Sequence, residues 1–257
     1  MLIHFWKYQG TGNDFVMLDN RQSLFQLSSE KITHLCDRRF GIGADGLILL
    51  EMDGEIPRMV YYNSDGCEST MCGNGGRCFV AFCHFLQVKL TSNEFLAVDG
   101  LHAFSVGGSI VSLQMKDVLG IENFGSDFFL DTGSPHYVQF VDKVASLDVN
   151  EKGNSIRYND HFRASGVNVN FVEQEGEGVR VRTYERGVEG ETFSCGTGVT
   201  AAVLAFDYKF HSKLEKVYVH TLGGDLAVSF KAKGHGNYTD IWLHGPAEQV
   251  YSGSINI

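Results

Sequence analysis

The sequence predicts an α+β fold built from two similar halves, and three observations carry that prediction. Short apolar runs with strand-like spacing far outnumber helical ones, and they do not alternate with helices as a parallel α/β chain would. A Cys-Gly-x-Gly segment followed by an apolar helical run occurs twice, about half the chain apart. No linker or low-complexity stretch separates the halves: among 257 residues there are 30 glycines, which suit turns and close backbone approaches, but only 3 prolines.

The elements follow in order. The opening LIHFWKYQGTGNDFVMLDN reads as strand, Gly-rich loop, strand. SSEKITHLCDRRF reads as a helix, with Ser28 or Ser29 as its cap and Ile32, Leu35 and Cys36 on one face. GLILLEM is a short buried strand, and RMVYYNSDG a strand ending in a turn. CGNGGRCFVAFCHFL is a helix with a Gly-rich start. From residue 88 to about 145 short β-like runs alternate with Gly, Asn and Asp turns, which predicts an array of hairpins. VNVNFVE and VRVRTYERG are strands, CGTGVTAAVLAFDYKF is a second helix with a Gly-rich start, and KVYVHTLGGDLAVSFKA is a hairpin around Gly223-Gly224. YTDIWLHGPAEQVYSGSINI ends the chain in strands.

Composition narrows the class of function. A hydrophobic fraction of 43% excludes a disordered chain. Lys+Arg 21 against Asp+Glu 31 gives a net charge of −10 with no basic cluster, so nucleic acid is not an expected partner. No apolar run approaches the roughly 20 residues of a membrane span. The N-terminus lacks the basic and apolar regions of a secretory signal, so a cytoplasmic location and reduced thiols are expected for the 6 cysteines.

The repeat is specific. Glu68-Ser-Thr-Met-Cys72-Gly73-Asn74-Gly75 lines up with Glu191-Thr-Phe-Ser-Cys195-Gly196-Thr197-Gly198. Each follows a Tyr-led strand end, Tyr62-Asn63 and Tyr184-Glu185. The shared order E-[ST]-x-x-C-G-x-G favours duplication over chance.

Two other motifs carry less. Gly41-Ile-Gly43-Ala-Asp-Gly46 matches G-x-G-x-x-G, but a helix precedes it and a strand follows. A dinucleotide site needs the reverse order, so a tight turn is expected. Cys67, Cys72, Cys78 and Cys83 lack the two-residue knuckles of structural zinc, and Cys78 and Cys83 fall inside a helical run where cysteine serves as a small hydrophobe. No metal is expected.

Cys72 and Cys195 differ from the rest. Each stands just before a Gly-rich helix start, where unpaired N–H groups and the positive dipole end favour a thiolate and can hold a carboxylate. The plain alternative, a buried thiol, loses ground because the setting occurs twice. Two such thiols suit proton transfer at a carbon: a thiolate removes a proton from one face and a thiol returns one to the other. Helix N-termini stabilise the carbanion through its carboxylate. No pyridoxal site is suggested.

These residues resemble the diaminopimelate epimerases. The resemblance rests on Gly10-Thr-Gly-Asn13-Asp14-Phe15, Asp37-Arg-Arg-Phe-Gly-Ile-Gly-Ala-Asp-Gly46, Asn63-Ser-Asp-Gly66, Cys72-Gly-Asn-Gly-Gly-Arg77, Asn168-Val-Asn-Phe171, Tyr184-Glu-Arg-Gly187 and Cys195-Gly-Thr-Gly198. It covers essentially the whole chain. It implies cofactor-independent interconversion of LL- and meso-diaminopimelate on the route to lysine and cell-wall peptide. It also implies two pseudo-symmetric lobes, each a curved, mostly antiparallel sheet around a central helix. The N-terminal lobe would be 1–115 with Cys72, completed by the strand 247–257, and the C-terminal lobe 116–246 with Cys195. Cys72 and Cys195 would be the acid/base pair. The N–H groups around Gly73, Asn74, Gly196 and Thr197 would bind the reacting carboxylate. Asn13, Asn63, Asn168, Glu185 and Arg186 would hold the distal amino-acid end, with His136 as an auxiliary group beside one thiol. The implied partners are the amino-acid substrate and a second copy of the chain in a homodimer.

The chain departs from the family at three places. Gly133-Ser134-Pro135-His136 stands where Gly-Asn-Pro-His is usual, the GVEGETFS loop is one residue longer, and Gly46 replaces a substrate-contacting amide of some members. Two rivals remain at this point. A two-thiol racemase of proline or hydroxyproline would not need the polar distal grip. A non-catalytic metabolite-binding protein on the same fold would not need both thiols.

Overall fold

The structure is a computed structural model and describes residues 2–257. Two compact units divide the chain: residues up to Leu113 together with Pro246–Ile257, and Gln114–Gly245.

In the first unit the strands are β1 (Leu2–Gly10), β2 (Asn13–Asp19), β3 (Gly46–Asp53), β4 (Ile56–Asn63), β5 (Glu94–Ala97), β6 (Gly100–Gly107), β7 (Ile110–Gln114) and, from the far end of the chain, β18 (Glu248–Asn256). Hydrogen-bonded neighbours run β18-β1-β2-β3-β4-β5-β6-β7. The β2–β3 and β4–β5 pairs are parallel and the others antiparallel. Helix α1 (Ser29–Cys36) fills the β2–β3 crossover and α2 (Gly73–Phe85) the β4–β5 crossover, as parallel neighbours require.

Side-chain alternation sorts these strands into two cores. Phe15 and Met17 of β2 and Ile48 and Leu50 of β3 face α2, where they bury Cys78, Phe79 and Phe82. Their neighbours Val16, Leu18, Leu47 and Leu49 face the other way and bury Ile32, Leu35 and Cys36 of α1. Helix α2 is buried along most of its length: Arg77, Cys78, Phe79, Val80 and Phe82 are at most 1% exposed, and its last turn, with His84 and Phe85, reaches solvent.

The second unit repeats this order. Its strands are β8 (Val118–Leu119), β9 (Glu122–Phe124), β10 (Asp127–Asp131), β11 (Pro135–Phe140), β12 (Asn168–Glu175), β13 (Gly178–Glu185), β14 (Gly190–Thr192), β15 (Lys216–Thr221), β16 (Gly224–Gly234) and β17 (Asn237–Pro246). Here β10–β11 is antiparallel, β11–β12 parallel, β12–β13 antiparallel, β13–β15 parallel, β15–β16 and β16–β17 antiparallel. That is the sequence of senses from β1 to β7. Helix α3 (Val149–Arg157) fills the first parallel crossover and α4 (Gly196–Phe210) the second. The units are therefore pseudo-symmetric α+β lobes, each with a central helix buried along all but its last turn. Val199 to Phe206 of α4 sit within a core of Val138, Val172, Val181, Val217, Val228 and Ile241.

Two local readings need correction. Helix α3 lies in a stretch to which the sequence reading gave no element. Its signal was present: Asp148 is the N-cap and its side chain accepts from the Glu151 N–H. Ser28 does stand at the N-cap of α1, but its side chain makes no capping bond. The Gly41–Gly46 motif is a tight turn, with Gly43 at φ +83° and a Cβ on Gly41 only 1.9 Å from the His34 carbonyl oxygen. No helix among the described residues is long and apolar enough to cross a membrane.

Candidate active site

Each lobe presents a cysteine at the same point. Cys72 is the N-cap of α2 and Cys195 the N-cap of α4, both in extended conformation. Neither side chain caps its helix, and neither first turn carries an acidic residue. The Cys72 carbonyl accepts the first helical bond, from Gly76 N at 2.7 Å, and the Cys195 carbonyl accepts from Val199 N at 2.8 Å. The N–H groups of Gly73, Asn74 and Gly75, and of Gly196, Thr197 and Gly198, precede those bonds and have no carbonyl of their own helix to meet. They are the positive end of an apolar helix, the electrostatic setting for a carboxylate.

In the first lobe the structure brings Asn13, Cys72 and Asn74 together. Asn13 begins β2, and its Oδ1 lies 3.6 Å from Cys72 Sγ and 3.5 Å from Asn74 Nδ2. Asn74 is buried, and its Oδ1 accepts from Arg77 Nη2 at 3.0 Å. Arg77 is fully buried, donates also to Thr11 Oγ1 and to the Pro246 carbonyl, and has its pKa lowered by that burial. Asn63 ends β4, where it pairs with Gly46 and opens the Asn63–Gly66 turn through its carbonyl bond to Gly66 N. A Cβ on Gly46 would lie 2.6 Å from the Tyr61 ring and from the Tyr62 carbonyl, so packing accounts for the missing side chain there.

Sequence reasoning missed the charged network beneath Asn13. Lys7 Nζ, Arg38 and the backbone of Asp45 all converge on the Asp14 carboxylate, and Lys7 also donates to the Gly43 carbonyl. Burial works against the Asp14 charge, but the bonds from Arg38 and Lys7 outweigh it and hold the carboxyl well below the usual carboxylate range. Asp45 accepts from Arg38 at 2.8 Å and from Asn13 Nδ2 at 2.6 Å. The signal was the Asp-Arg-Arg…Ala-Asp-Gly block, whose charged residues carried the resemblance but were given no role of their own.

In the second lobe Asn168 begins β12 and organises its surroundings. Its Nδ2 donates to Ser134 Oγ at 2.8 Å and to the Pro135 carbonyl at 3.1 Å, while its Oδ1 accepts from Arg186 N at 2.9 Å. Ser134, the departure from the usual Asn, is thus a partner of Asn168. Glu185 ends β13 opposite Gly190. The exposed Arg186 guanidinium donates to the Ser165 carbonyl at 3.2 Å. Gly166 makes its room, since a Cβ there would lie 2.5 Å from Arg186 Cδ.

His136 is buried in this lobe. Asn170 Nδ2 donates to its Nδ1 at 3.1 Å and to the Tyr137 carbonyl, while Asn170 Oδ1 accepts from Thr183 Oγ1. The network therefore assigns the imidazole proton to Nε2, which has no hydrogen-bond partner among the described residues. Burial, with a smaller push from Arg186, lowers its pKa to about 3, so the ring is neutral. Asn170 was missed as well. At the head of α4, Cys195 Sγ lies 3.4 Å from Thr197 Oγ1, and the Thr197 carbonyl accepts from Thr132. By contrast Cys78 and Cys83 are core residues whose thiols burial pushes up to about 12.

Comparison with known proteins places these geometries in a family. The family model Diaminopimelate epimerase matches residues 5–99 and 128–249. A diaminopimelate epimerase from Flavobacterium psychrophilum is 49% identical over 254 residues, covering 97% of this chain and 99% of that protein. One from Chlorobaculum tepidum is 42% identical over 261 residues, covering 96% and 99%. Among solved structures, a PhzF-family phenazine biosynthesis protein from Bacillus anthracis superposes with TM-score 0.73 at 13% identity over the whole of both chains. A probable proline racemase from Agrobacterium radiobacter gives 0.65 at 12% identity, covering 99% of this chain and 92% of that one. At such identities the likeness is one of fold.

Proposed function

The chain belongs to the diaminopimelate epimerase family, and from that premise we propose that it interconverts LL- and meso-diaminopimelate without a cofactor, in the supply of lysine and peptidoglycan precursors. The observation that carries the proposal is the repeat itself: a cysteine at the N-cap of the central, largely buried helix of each lobe.

In this reading one cysteine, as thiolate, takes the α-proton and becomes a thiol. The electron pair left on the α-carbon delocalises into its carboxylate, which the N–H groups of Gly73, Asn74, Gly196 and Thr197 stabilise. The other cysteine, as thiol, gives its proton to the opposite face and becomes the thiolate. The proton count is unchanged, and the thiols have exchanged roles, so the reverse reaction starts from the product state. Asn13, Asn63, Asn168, Glu185 and Arg186 hold the unreacting end. Arg186 suits its carboxylate and Glu185 its ammonium. His136, neutral with its proton at Nε2, is an auxiliary hydrogen-bond donor.

Proline racemisation is the nearest competing reaction, and the polar residues assigned to the distal end favour the longer substrate, whose second end carries both an ammonium and a carboxylate. Exchange of α-protons in deuterated water separates the two. Incorporation and epimerisation are expected with LL-diaminopimelate and not with L-proline; the opposite pattern rejects the assignment.

A further inference from the structure

One chain of hydrogen bonds in the first lobe has its direction forced at both ends by charge. A guanidinium only donates, so the Arg77 Nη2 contact at 3.0 Å makes Asn74 turn its oxygen toward Arg77 and its NH2 toward Asn13. A carboxylate only accepts. Asp45 Oδ2 takes Asn13 Nδ2 at 2.6 Å and the Asp14 backbone N–H at 3.2 Å, and Oδ1 takes Arg38 at 2.8 Å. Arg38 is itself gripped by both oxygens of Asp14, at 2.7 and 2.9 Å. The Asn13 carboxamide is thereby fixed with its oxygen toward Cys72 Sγ, 3.6 Å away.

A carbonyl oxygen accepts from S–H and repels a thiolate, so it stabilises the protonated sulfur. We propose that Asp45 is a positioning residue that locks the Asn13 carboxamide oxygen onto Cys72 and so keeps Cys72 a thiol in the substrate-free protein. Other groups act on this sulfur: Arg77 and the α2 terminus favour the thiolate, while the core thiol Cys78 does not. Cys195 differs, because its Thr197 hydroxyl can turn its hydrogen toward a thiolate. The inference rests on the two-thiol reading and adds to it that the resting enzyme begins with Cys72 as the proton donor.

The test needs no turnover, so it can fail separately from the epimerase assignment. The substrate-free protein is alkylated with iodoacetamide at neutral pH, and the rate at each cysteine is read by peptide mass spectrometry for wild type, Asp45→Ala and Asp45→Asn. Asp45→Ala frees the Asn13 amide to turn its NH2 to the sulfur. Cys72 is then expected to react about threefold faster, the change that half a pKa unit makes in the thiolate fraction of a mostly protonated thiol. Asp45→Asn loses the charge but keeps an oxygen for Asn13 Nδ2, so its Cys72 rate should stay near wild type. Cys195 in the same sample reports general loosening and should not change. Equal acceleration in both variants would assign the effect to charge alone and overturn the lock. So would no acceleration in Asp45→Ala, or acceleration of Cys195 alongside Cys72.

Discussion

Cys72 and Cys195 are the same residue at the same point of two repeats, yet Cys72 meets an amide oxygen and Cys195 a hydroxyl. Under the two-base reading, that difference sets where the first proton sits, not whether both sulfurs are needed. Cys72→Ala and Cys195→Ala should each abolish net epimerisation, measured by chiral chromatography of the diaminopimelate isomers. Cys72→Ser should be nearly as inactive, because an alcohol is a far weaker acid than a thiol near neutral pH. Near-normal turnover in either Ala variant would sink the mechanism. Arg186 tests the distal end. Its guanidinium is exposed and donates to the Ser165 backbone carbonyl of the second lobe. Arg186→Met should therefore weaken substrate binding by the roughly 1.5–3 kcal/mol of a charge-assisted hydrogen bond, about 10- to 150-fold in KM, while the melting temperature holds. Unchanged KM would remove Arg186 from the binding set. Asn168 would not serve as such a clean probe, because its side chain also satisfies Arg186 N and ties Ser134 and Pro135 to β12.

At the scale of elements, the glycines decide how closely helix and strand approach. Gly153 of α3 lies against β13, and a Cβ there would fall 2.3 Å from Tyr184 Cβ, near the backbone, where nothing can swing aside. Gly153→Ala should cost about 1–3 kcal/mol by overpacking, despite the better helix propensity of alanine. Gly75 of α2 is the contrast. Its added Cβ would meet the ends of two flexible side chains, Ile48 Cδ1 at 3.2 Å and Met59 Cε at 3.3 Å. Gly75→Ala should be close to neutral, because small shifts relieve the contact and the propensity gain offsets them. Thermal melts of the two variants check the ordering, and a more stable Gly153→Ala would contradict the packing of α3. That helix also marks how far the sequence could be read. The Cys-Gly-x-Gly repeat was legible because both copies keep their chemistry. The pairing of α3 with α1 was not, because these surface helices carry no shared functional motif and what matches is their place in a parallel crossover. The duplicated cysteines stood out because the residues around them are duplicated too. Asp45 and Asn170 did not, since each acts through a contact with a residue far along the chain, Asn13 and His136.

At the scale of the whole molecule, buried histidines link stability to pH. Burial holds His136 at about 3, and burial with the neighbouring Lys216 holds His244 at about 4. In the unfolded chain both titrate near 6.5. Between pH 7 and 5 the unfolded state therefore binds protons that the folded state refuses, and stability falls as the solution is acidified. Most carboxylates titrate below this window, so the histidines dominate it. His136 is wholly buried and contributes about 2 kcal/mol of loss between pH 7 and 5; the half-buried His244 adds less, because solvent screens it. His136→Gln has no proton to gain in this range. Urea unfolding followed by circular dichroism at pH 7 and pH 5 should show wild type losing about 2 kcal/mol more than the variant. An equal loss in both would mean that the folded protein protonates His136 as readily as water does, which its buried, Asn170-bonded ring does not allow.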